Sequence, residues 1–310
     1  MTDVDRAGYV EDATKFVHLM LEARQWDALD KLSVQNWLDN FPAQCRYFSL
    51  RILRHLLYYS ERDLEALLRE TILHSVLGTD IRRRFQLPSK FGQYPSFLHY
   101  ELCKAMERTA LVPLLDGNRP SESSLTVTRT ALQALGFKPY SFAFPDKLSE
   151  IKTTTCDRLI FVDDNLGTGD QFRTFWTQFE AEPGRSIADF CDTHADWPIY
   201  YVVQVGLDQA LNDLRGEFPR VHFLAGQIVA PDHGVFQPTS RCWLSEAERI
   251  EATAALTEVV QPIGIQLLGY RDFDYAVVLH KNIPDWSLPL LWRGVKGEWT
   301  PLVERKNSYE

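Results

Sequence analysis

One short stretch limits what this 310-residue chain can fold into more than any other part of it. An apolar run, Leu159–Val162, leads into two acidic residues, Asp163 and Asp164. A glycine-flanked turn, Gly167-Thr168-Gly169, follows, and a helical pattern begins at Asp170. A short apolar run bounded by turn residues is typical of a fully buried strand. The order therefore predicts a strand, a turn and a helix within an α/β sheet.

The residues that follow the predicted strand indicate a site for a sugar phosphate. In open α/β sheets, ligands bind at the carboxyl ends of the strands, which is where the acidic pair falls. Glycines let the backbone approach a ligand, and the N-terminus of the next helix favours a phosphate. Thr168 adds a hydroxyl donor. Because two carboxylates would repel the phosphate, we expect them to accept hydrogen bonds from ribose hydroxyls or to bind Mg²⁺.

The rest of the chain predicts an α/β domain behind a helical region. The predicted strands are Ala110–Leu115, Tyr140–Phe144, Leu159–Val162, Ile199–Val205, Val221–Val229 and Tyr275–Leu279. The predicted N-terminal helices are Asp12–Trp26, Ser33–Asn40, Arg46–Tyr59 and one that Ser60 caps and Gly78 ends. Strands that alternate with helices favour a mostly parallel sheet flanked by helices. A loop-like stretch at 80–96 suggests a helical region over 1–105 and an α/β domain over 106–310.

The strand-turn-helix segment resembles the signature loop of type I phosphoribosyltransferases, an apolar strand followed by an acidic pair and a Thr-Gly turn. The resemblance implies a phosphoribosyltransferase-like fold that binds phosphoribosyl pyrophosphate or a nucleotide together with Mg²⁺. It implies that Asp163 and Asp164 are the catalytic residues, that they hold the 2- and 3-hydroxyls of ribose, and that they could share a metal ion with the ligand. It also implies that the 5-phosphate is wrapped by Asn165, Leu166, Gly167, Thr168, Gly169 and Gln171.

The match to this loop departs from the usual pattern at three positions. Asn165 stands where an apolar residue is common, and Gly167 replaces a small hydroxyl residue or alanine. Gln171 replaces a serine or threonine, which removes one expected phosphate donor, although an amide can substitute.

A second resemblance covers scattered motifs along most of the chain. The segment Asn282–Trp292 resembles the N-x-P-N-x-x-L-P-x-x-W ending of a phosphoribosyltransferase-like family linked to bacterial conflict systems, with Asp285 in place of the second asparagine. Trp37–Phe41 and Leu53–Ser60 are similar to the same family. This resemblance implies an effector or accessory role in antiphage defence, with a protein partner.

Type I enzymes also carry a pyrophosphate loop after an early strand, and residues 116–124 have the matching position and composition. Arg119 could neutralise charge there, and Ser121 and Ser123 could donate hydrogen bonds. The alternative is that Ser123 or Ser124 is simply the N-cap of the next helix.

Composition narrows the classes of function. The net charge of -9 argues against a general nucleic-acid binder, because such proteins gain affinity from phosphate contacts by Lys and Arg. Five scattered cysteines fit a reducing compartment, and no apolar run approaches the length of a membrane span. The sequence therefore predicts a cytoplasmic protein, and it is compatible with a homo-oligomer.

Several alternatives stay open at this point. The acidic pair also resembles the Mg²⁺ pocket of a receiver domain, and the glycine turn could be an ordinary helix-capping turn. The chain could be an active phosphoribosyltransferase, a nucleotide-cleaving relative, or a catalytically inactive module that senses a nucleotide or binds a partner.

Overall fold

The computed structural model describes residues 3–86, 95–115, 122–152 and 154–305. Its helices are α1 (Asp3–Glu22), α2 (Lys31–Asp39), α3 (Arg46–His55), α4 (Glu61–Glu70), α5 (Thr79–Phe85), α6 (Pro95–Glu107), α7 (Glu122–Leu135), α8 (Asp170–Gln178), α9 (Ile187–Thr193), α10 (Asp208–Glu217), α11 (Glu246–Val260) and α12 (Pro289–Trp292). Its strands are β1 (Leu57–Tyr59), β2 (Thr109–Pro113), β3 (Arg158–Leu166), β4 (Glu180–Glu182), β5 (Arg185–Ser186), β6 (Ile199–Leu207), β7 (Val221–Val229) and β8 (Val277–Leu279). No helix among these residues has the length and apolar character that a membrane crossing requires.

The chain divides into two compact units, one formed by Glu65–Val229 and the other by Met1–Leu64 with Ala230–Glu310. We call them the sheet unit and the terminal unit. The sheet unit contains a four-stranded sheet in the order β2-β3-β6-β7, and every neighbouring pair is parallel. The predicted fold class, a mostly parallel sheet flanked by helices, is confirmed.

The two faces of this sheet are covered by different helices. On one face Phe161 packs edge-to-face against Phe175 and Trp176 of α8. On the other face Ile160 and Val162 belong to a core that also includes Leu68, Ile72 and Val76 from the helices before β2, and Val127 and Ala131 of α7. Since successive side chains of a strand point to opposite faces, this assignment fixes where each acidic side chain of β3 points.

The terminal unit has a separate core. There α1 packs on α3, and β1 pairs in parallel with β8. The indole nitrogens of Trp37 and Trp299 both donate to the carbonyl of Leu290, at 2.7 and 3.1 Å. The N-terminal and C-terminal segments that carry the conflict-family resemblance therefore pack together, and Trp286 and Trp299 are buried core residues.

The boundary expected between residues 105 and 106 does not coincide with the junctions of the two units. Residues 65–107 supply helices that cover the parallel sheet, so they belong with it. Residues after 230 contribute their last strand, β8, to β1 of the terminal unit rather than to the main sheet. A single sequence does not reveal this division into units, because it depends on which distant strands pair.

Four local predictions were wrong. The stretch 80–96, predicted as a loop, begins inside the helix α5, and residues 87–94 of it lie outside the described residues. The helix predicted over Arg46–Tyr59 ends at His55, because Leu57–Tyr59 pairs with β8. Gly78 does not end a helix, since a π-helical stretch, Thr71–Gly78, continues directly into α5. The strand predicted over Tyr140–Phe144 is a 3₁₀ turn with one bridge to β2.

Both predicted caps are confirmed. The amide of Asp63 donates to the Ser60 hydroxyl at 3.2 Å, and the amide of Glu248 donates to the Ser245 hydroxyl at 3.2 Å.

Candidate functional site

Asp163 lies near the carboxyl end of β3 on the face that α8 covers. Only 1% of its surface is exposed. Its Oδ2 accepts a hydrogen bond from the Tyr201 hydroxyl at 3.2 Å, and its Oδ1 accepts one from the Asp164 amide at 2.9 Å. Burial, and then the nearby charge of Asp164, raise the pKa of Asp163 well above its usual range. Burial and the neighbouring Asp163 likewise raise the pKa of the Tyr201 hydroxyl.

Asp164 points to the opposite face of the sheet, because adjacent residues of a strand alternate. It is 7% exposed. Its Oδ1 accepts hydrogen bonds from the amide and the side-chain Nδ2 of Asn165, each at 2.8 Å. The strand therefore keeps both predicted carboxylates at one edge of the sheet but separates them onto its two faces. Asn165 orients the Asp164 carboxylate, so it has a clear local role beside the one predicted for it.

The turn after β3 is short, because β3 extends through Asn165 and Leu166, and it ends at a glycine that opens α8. Gly169 occupies the N-cap position of α8 with φ +82, in the left-handed region that favours glycine. A Cβ at Gly169 would lie 3.1 Å from the Leu214 side chain of α10. The turn is therefore limited to glycine both by backbone angle and by close packing. Leu166 and Gly167 are buried, whereas Thr168 is half-buried.

A charged cluster that the sequence argument missed holds this turn. The Thr168 hydroxyl donates to Asp170 Oδ2 at 3.0 Å, and Arg173 Nη1 donates to the Thr168 carbonyl at 2.9 Å. Arg173 also binds Asp170 at 3.3 Å and forms a two-pronged ion pair with Glu217 at 2.6 and 2.7 Å. The contact between Asp170 and Arg173 could have been predicted from their i, i+3 spacing on one helix. The ion pair between Arg173 and Glu217 could not, because it depends on how α10 packs on the sheet.

Asp170 changes the electrostatics of the predicted phosphate site. Its carboxylate lies in the first turn of α8, where the helix dipole stabilises a negative charge. Its negative charge therefore weakens the attraction of the α8 N-terminus for a bound phosphate. The positive charge of Arg173 offsets this effect. Gln171, predicted as a phosphate donor, is the next residue of this helix and is exposed.

The predicted pyrophosphate loop is described only at its end. Arg119 and Ser121 fall outside the described residues. Ser123 and Ser124 lie inside the first turn of α7 rather than at its N-cap position, and Ser124 is fully buried. Because α7 follows the carboxyl end of β2, its first turn lies at the same edge of the sheet as Asp164.

No cluster of three or more His, Cys, Asp or Glu side chains suited to a metal occurs within the described parts of the chain. A cavity of about 780 Å³ in the sheet unit lies elsewhere, at the amino ends of β2 and β3. Arg108, Tyr140, Phe144 and Lys152 are among its lining residues. It lies at the opposite edge of the sheet from Asp164, so it is not the site that the loop predicts.

Comparison with known proteins adds the family. Residues 34–305 match the model of the family described as PRTase-CE, a phosphoribosyltransferase-like family associated with conflict systems. No curated protein matches the chain. A solved structure, that of the AQ2163 protein from Aquifex aeolicus, aligns at 13% identity with a TM-score of 0.27, over 40% of this chain and 56% of that one. At that score the likeness carries no argument about fold or function.

Proposed function

The chain belongs to the PRTase-CE family, and from this premise we propose that it binds phosphoribosyl pyrophosphate or a nucleotide at the turn between β3 and α8. We propose further that it acts in the cytoplasm as an effector or accessory component of a bacterial antiphage defence system, together with a protein partner or further copies of itself. The observation that carries the binding proposal is the strand β3, which brings Asp164 to the carboxyl edge of a parallel sheet beside a glycine turn that opens a helix.

The phosphate assignment is supported by the turn. Gly169 has the left-handed backbone that lets amides converge on an anion, and α8 presents its N-terminus directly after it. The Thr168 hydroxyl now donates to Asp170 and can be redirected to a ligand oxygen by rotation about its own bond. We assign the 5-phosphate to the stretch Asn165–Gly169, with Gln171 contributing from α8.

The sugar assignment is supported by Asp164. An ionised carboxylate only accepts hydrogen bonds, and vicinal ribose hydroxyls are donors of the matching kind. Asp164 keeps one oxygen, Oδ1, on Asn165. Asp163 is enclosed beneath α8, so its predicted contact with ribose requires the turn to open. Its direct role stays a prediction that the double substitution D163N/D164N tests.

Magnesium fits the site only as an ion shared with the ligand. Asp163 and Asp164 are oxygen donors of the kind that Mg²⁺ prefers, but they point to opposite faces of the sheet. Mg²⁺ seeks six oxygens and commonly takes several from substrate phosphates and water. When bound, the ion would offset the charge of the pyrophosphate. Arg119, Ser121 and Ser123 are our candidates for the pyrophosphate contacts, with the first turn of α7 contributing its amides.

If the chain is catalytic, its work is positioning and charge stabilisation. Phosphoribosyl transfer passes through an oxocarbenium-like state at C1, so a fixed ribose and a neutralised leaving group account for much of the acceleration. Asp164 would hold the ribose while the turn at Gly169 holds the phosphate. The reaction would be phosphoribosyl transfer to an acceptor base, or the cleavage of a nucleotide in the reverse sense.

Calorimetry with phosphoribosyl pyrophosphate and Mg²⁺ tests this proposal. We expect saturable binding by the native chain and its loss in D164N and in D163N/D164N. Asp196→Asn is the matched control, because Asp196 is an exposed acid of the same unit remote in sequence from the turn. Binding that survives unchanged in a folded double variant would refute the site.

A second candidate function is a catalytically inactive module that senses a nucleotide or binds a partner in a defence complex. Two observations favour it, namely the carboxylate of Asp170 in the phosphate turn and the enclosure of Asp163. Turnover assays separate the two candidates. Release of pyrophosphate or of a free base favours the enzyme, whereas binding without turnover, with a co-purifying partner, favours the module.

A further inference from the structure

A pocket of about 210 Å³ in the terminal unit gathers positive charge at the end of α3. Arg51, Arg54 and His55 reach it from one side of the helix, because residues three and four positions apart share a face. Tyr9 of α1 lines the pocket as well, as do Arg241 and Cys242 from the segment before α11. None of these residues belongs to the sheet unit, so the pocket is separate from the turn between β3 and α8.

Arg51 is the unusual member of this pocket. Its side chain is 8% exposed, yet no carboxylate of the described residues lies within ion-pairing distance of it. One Nη donates to the carbonyl of Cys242, and the Tyr9 side chain is a further hydrogen-bonding partner, while the buried Nε has no acceptor among the described residues. Proteins rarely leave a guanidinium buried with only a neutral partner, because the lost hydration must be offset by a counter-charge.

Arg54 is exposed but adds a second positive charge beside Arg51. The guanidinium carbons of Arg51 and Arg54 lie 5.0 and 5.4 Å from the centroid of the Tyr9 ring. The ring offers a weak attraction to both cations but carries no net charge. Within the described chain Arg54 has no ion pair either, so two positive charges converge on one aromatic side chain without a counter-ion.

The other polar and charged groups around the pocket each have a hydrogen-bond or ion-pair partner. Arg241 forms an ion pair with Asp232. Glu248 accepts hydrogen bonds from the Tyr47 hydroxyl and the Leu244 amide, and Asp274 accepts one from the amide of Phe236. His55 Nε2 lies 3.0 Å from the His233 carbonyl, which identifies Nε2 as the protonated nitrogen. Burial lowers the pKa of His55, so this ring is neutral near pH 7. Arg51 and Arg54 are therefore the lining cations that have no ion pair among the described residues, since the carboxyl groups of Glu248 and Asp274 lie beyond ion-pairing distance of them.

We propose that this pocket binds a phosphate group, either as free phosphate or as the end of a small phosphate monoester. A phosphate monoester carries about -1.5 to -2 charges near neutral pH, which matches two guanidinium groups better than a single carboxylate does. Guanidinium groups also bind phosphate oxygens in pairs. The volume of about 210 Å³ is below the roughly 300–1,000 Å³ of sites that enclose a whole small molecule, so the pocket takes the anionic group alone.

NMR of the histidine ring carbons tests the proposal, with inorganic phosphate as the probe and sodium chloride at equal ionic strength as the reference. The resonance of His55, identified by its loss in H55Q, should shift saturably with phosphate and not with chloride. Arg54→Gln is the decisive variant, because Arg54 is exposed and its loss leaves the core of the terminal unit intact. R54Q should raise the dissociation constant for phosphate by at least about tenfold, as expected for the loss of a charge-assisted contact.

Two controls keep this result apart from the turn in the sheet unit. Arg62→Gln removes an exposed arginine of the same unit and should leave phosphate affinity unchanged. Thr168→Val, in the turn proposed for phosphoribosyl ligands, should also leave the His55 response unchanged. The proposal is overturned if His55 does not respond saturably to phosphate, or if R54Q binds phosphate as tightly as the native chain.

A parallel titration with AMP identifies the source of the phosphate. Tighter binding of AMP than of inorganic phosphate at His55 supports a monoester whose remainder lies outside the pocket. Equal or weaker binding of AMP supports free phosphate. In either case R54Q must weaken the response, and a response to AMP that is indifferent to R54Q contradicts the assignment.

Discussion

The buried acid Asp163 allows a sharp test of how the site is built. Its oxygens contact the Tyr201 hydroxyl and the Asp164 amide, and its surroundings favour the protonated carboxyl group. Asparagine has the same shape as the protonated acid that these surroundings favour. It keeps a carbonyl oxygen for the Asp164 amide, and its NH₂ group can donate to the Tyr201 oxygen. We therefore expect D163N to change the free energy of unfolding of the sheet unit by no more than about 1 kcal/mol at neutral pH.

Removing the whole carboxyl group should behave differently. In D163A the buried Tyr201 hydroxyl and the Asp164 amide both lose the acceptor they now use. Each stranded buried donor costs about 1–3 kcal/mol, so the loss of both acceptors should cost on the order of 2–6 kcal/mol. The contrast between D163N and D163A separates the shape and hydrogen bonding of the side chain from its charge.

The pH dependence of stability should show whether Asp163 is protonated or ionised in the folded chain. Because the pKa of Asp163 is raised on folding, its stabilising contribution is complete below the ordinary carboxyl value of 3.8 and is lost as pH rises through the higher pKa of the folded chain. Asparagine does not titrate. The stability of D163N relative to the native chain should therefore increase with pH across that window.

Amide hydrogen exchange of β3 and β6 measures the free energy of opening the sheet. It should be measured on the native chain, D163N and D163A at several pH values. The comparison between variants at each pH removes the intrinsic dependence of exchange on pH. A loss above about 3 kcal/mol in D163N that grows with pH would show that Asp163 is ionised and stabilised as a charge. That result would refute the reasoning.

Two further predictions concern the turn. Gly169→Ala should lower the stability of the sheet unit by about 1–2 kcal/mol in a denaturation assay, because alanine is strained at φ +82 and its Cβ meets Leu214. Gly216→Ala is the control, since Gly216 lies in open space on α10, and it should be neutral or stabilising in the same assay. An equal loss of stability in both variants would contradict this prediction. Arg173→Gln should cost at most about 1 kcal/mol, since its ion pair with Glu217 is partly exposed, yet it should speed hydrogen exchange at Gly169 and Asp170 by releasing the Thr168 carbonyl. Unchanged exchange at both amides would argue against the role of Arg173 in holding the turn.

The sequence predicted the central βα unit well because its signals are local. An apolar run, an acidic pair and a glycine turn specify a buried strand and a helix start within a few residues. β3 and α8 were both found, although β3 runs past the predicted end at Val162 and includes both acids. The caps at Ser60 and Ser245 were found for the same reason. Such features depend on neighbours in the chain rather than on tertiary contacts.

The remaining features depend on contacts between distant residues. The partner of Asp163 is Tyr201, and their contact requires the register that sets Phe161 opposite Tyr201. The pairing of β1 with β8 joins the two ends of the chain and moves the expected boundary. The spacing of residues in a single sequence predicts neither the register nor the pairing of distant strands. The alternation of side chains on β3, by contrast, could have indicated that adjacent acids point to opposite faces.

The most direct test of the proposed function is a crystal structure of the full chain soaked with phosphoribosyl pyrophosphate and Mg²⁺. The account predicts the ribose hydroxyls on Asp164 and the 5-phosphate against the amides of Gly167–Gly169. Ligand density at the amino ends of β2 and β3, in the cavity lined by Arg108 and Lys152, with an empty turn at Thr168, would contradict it.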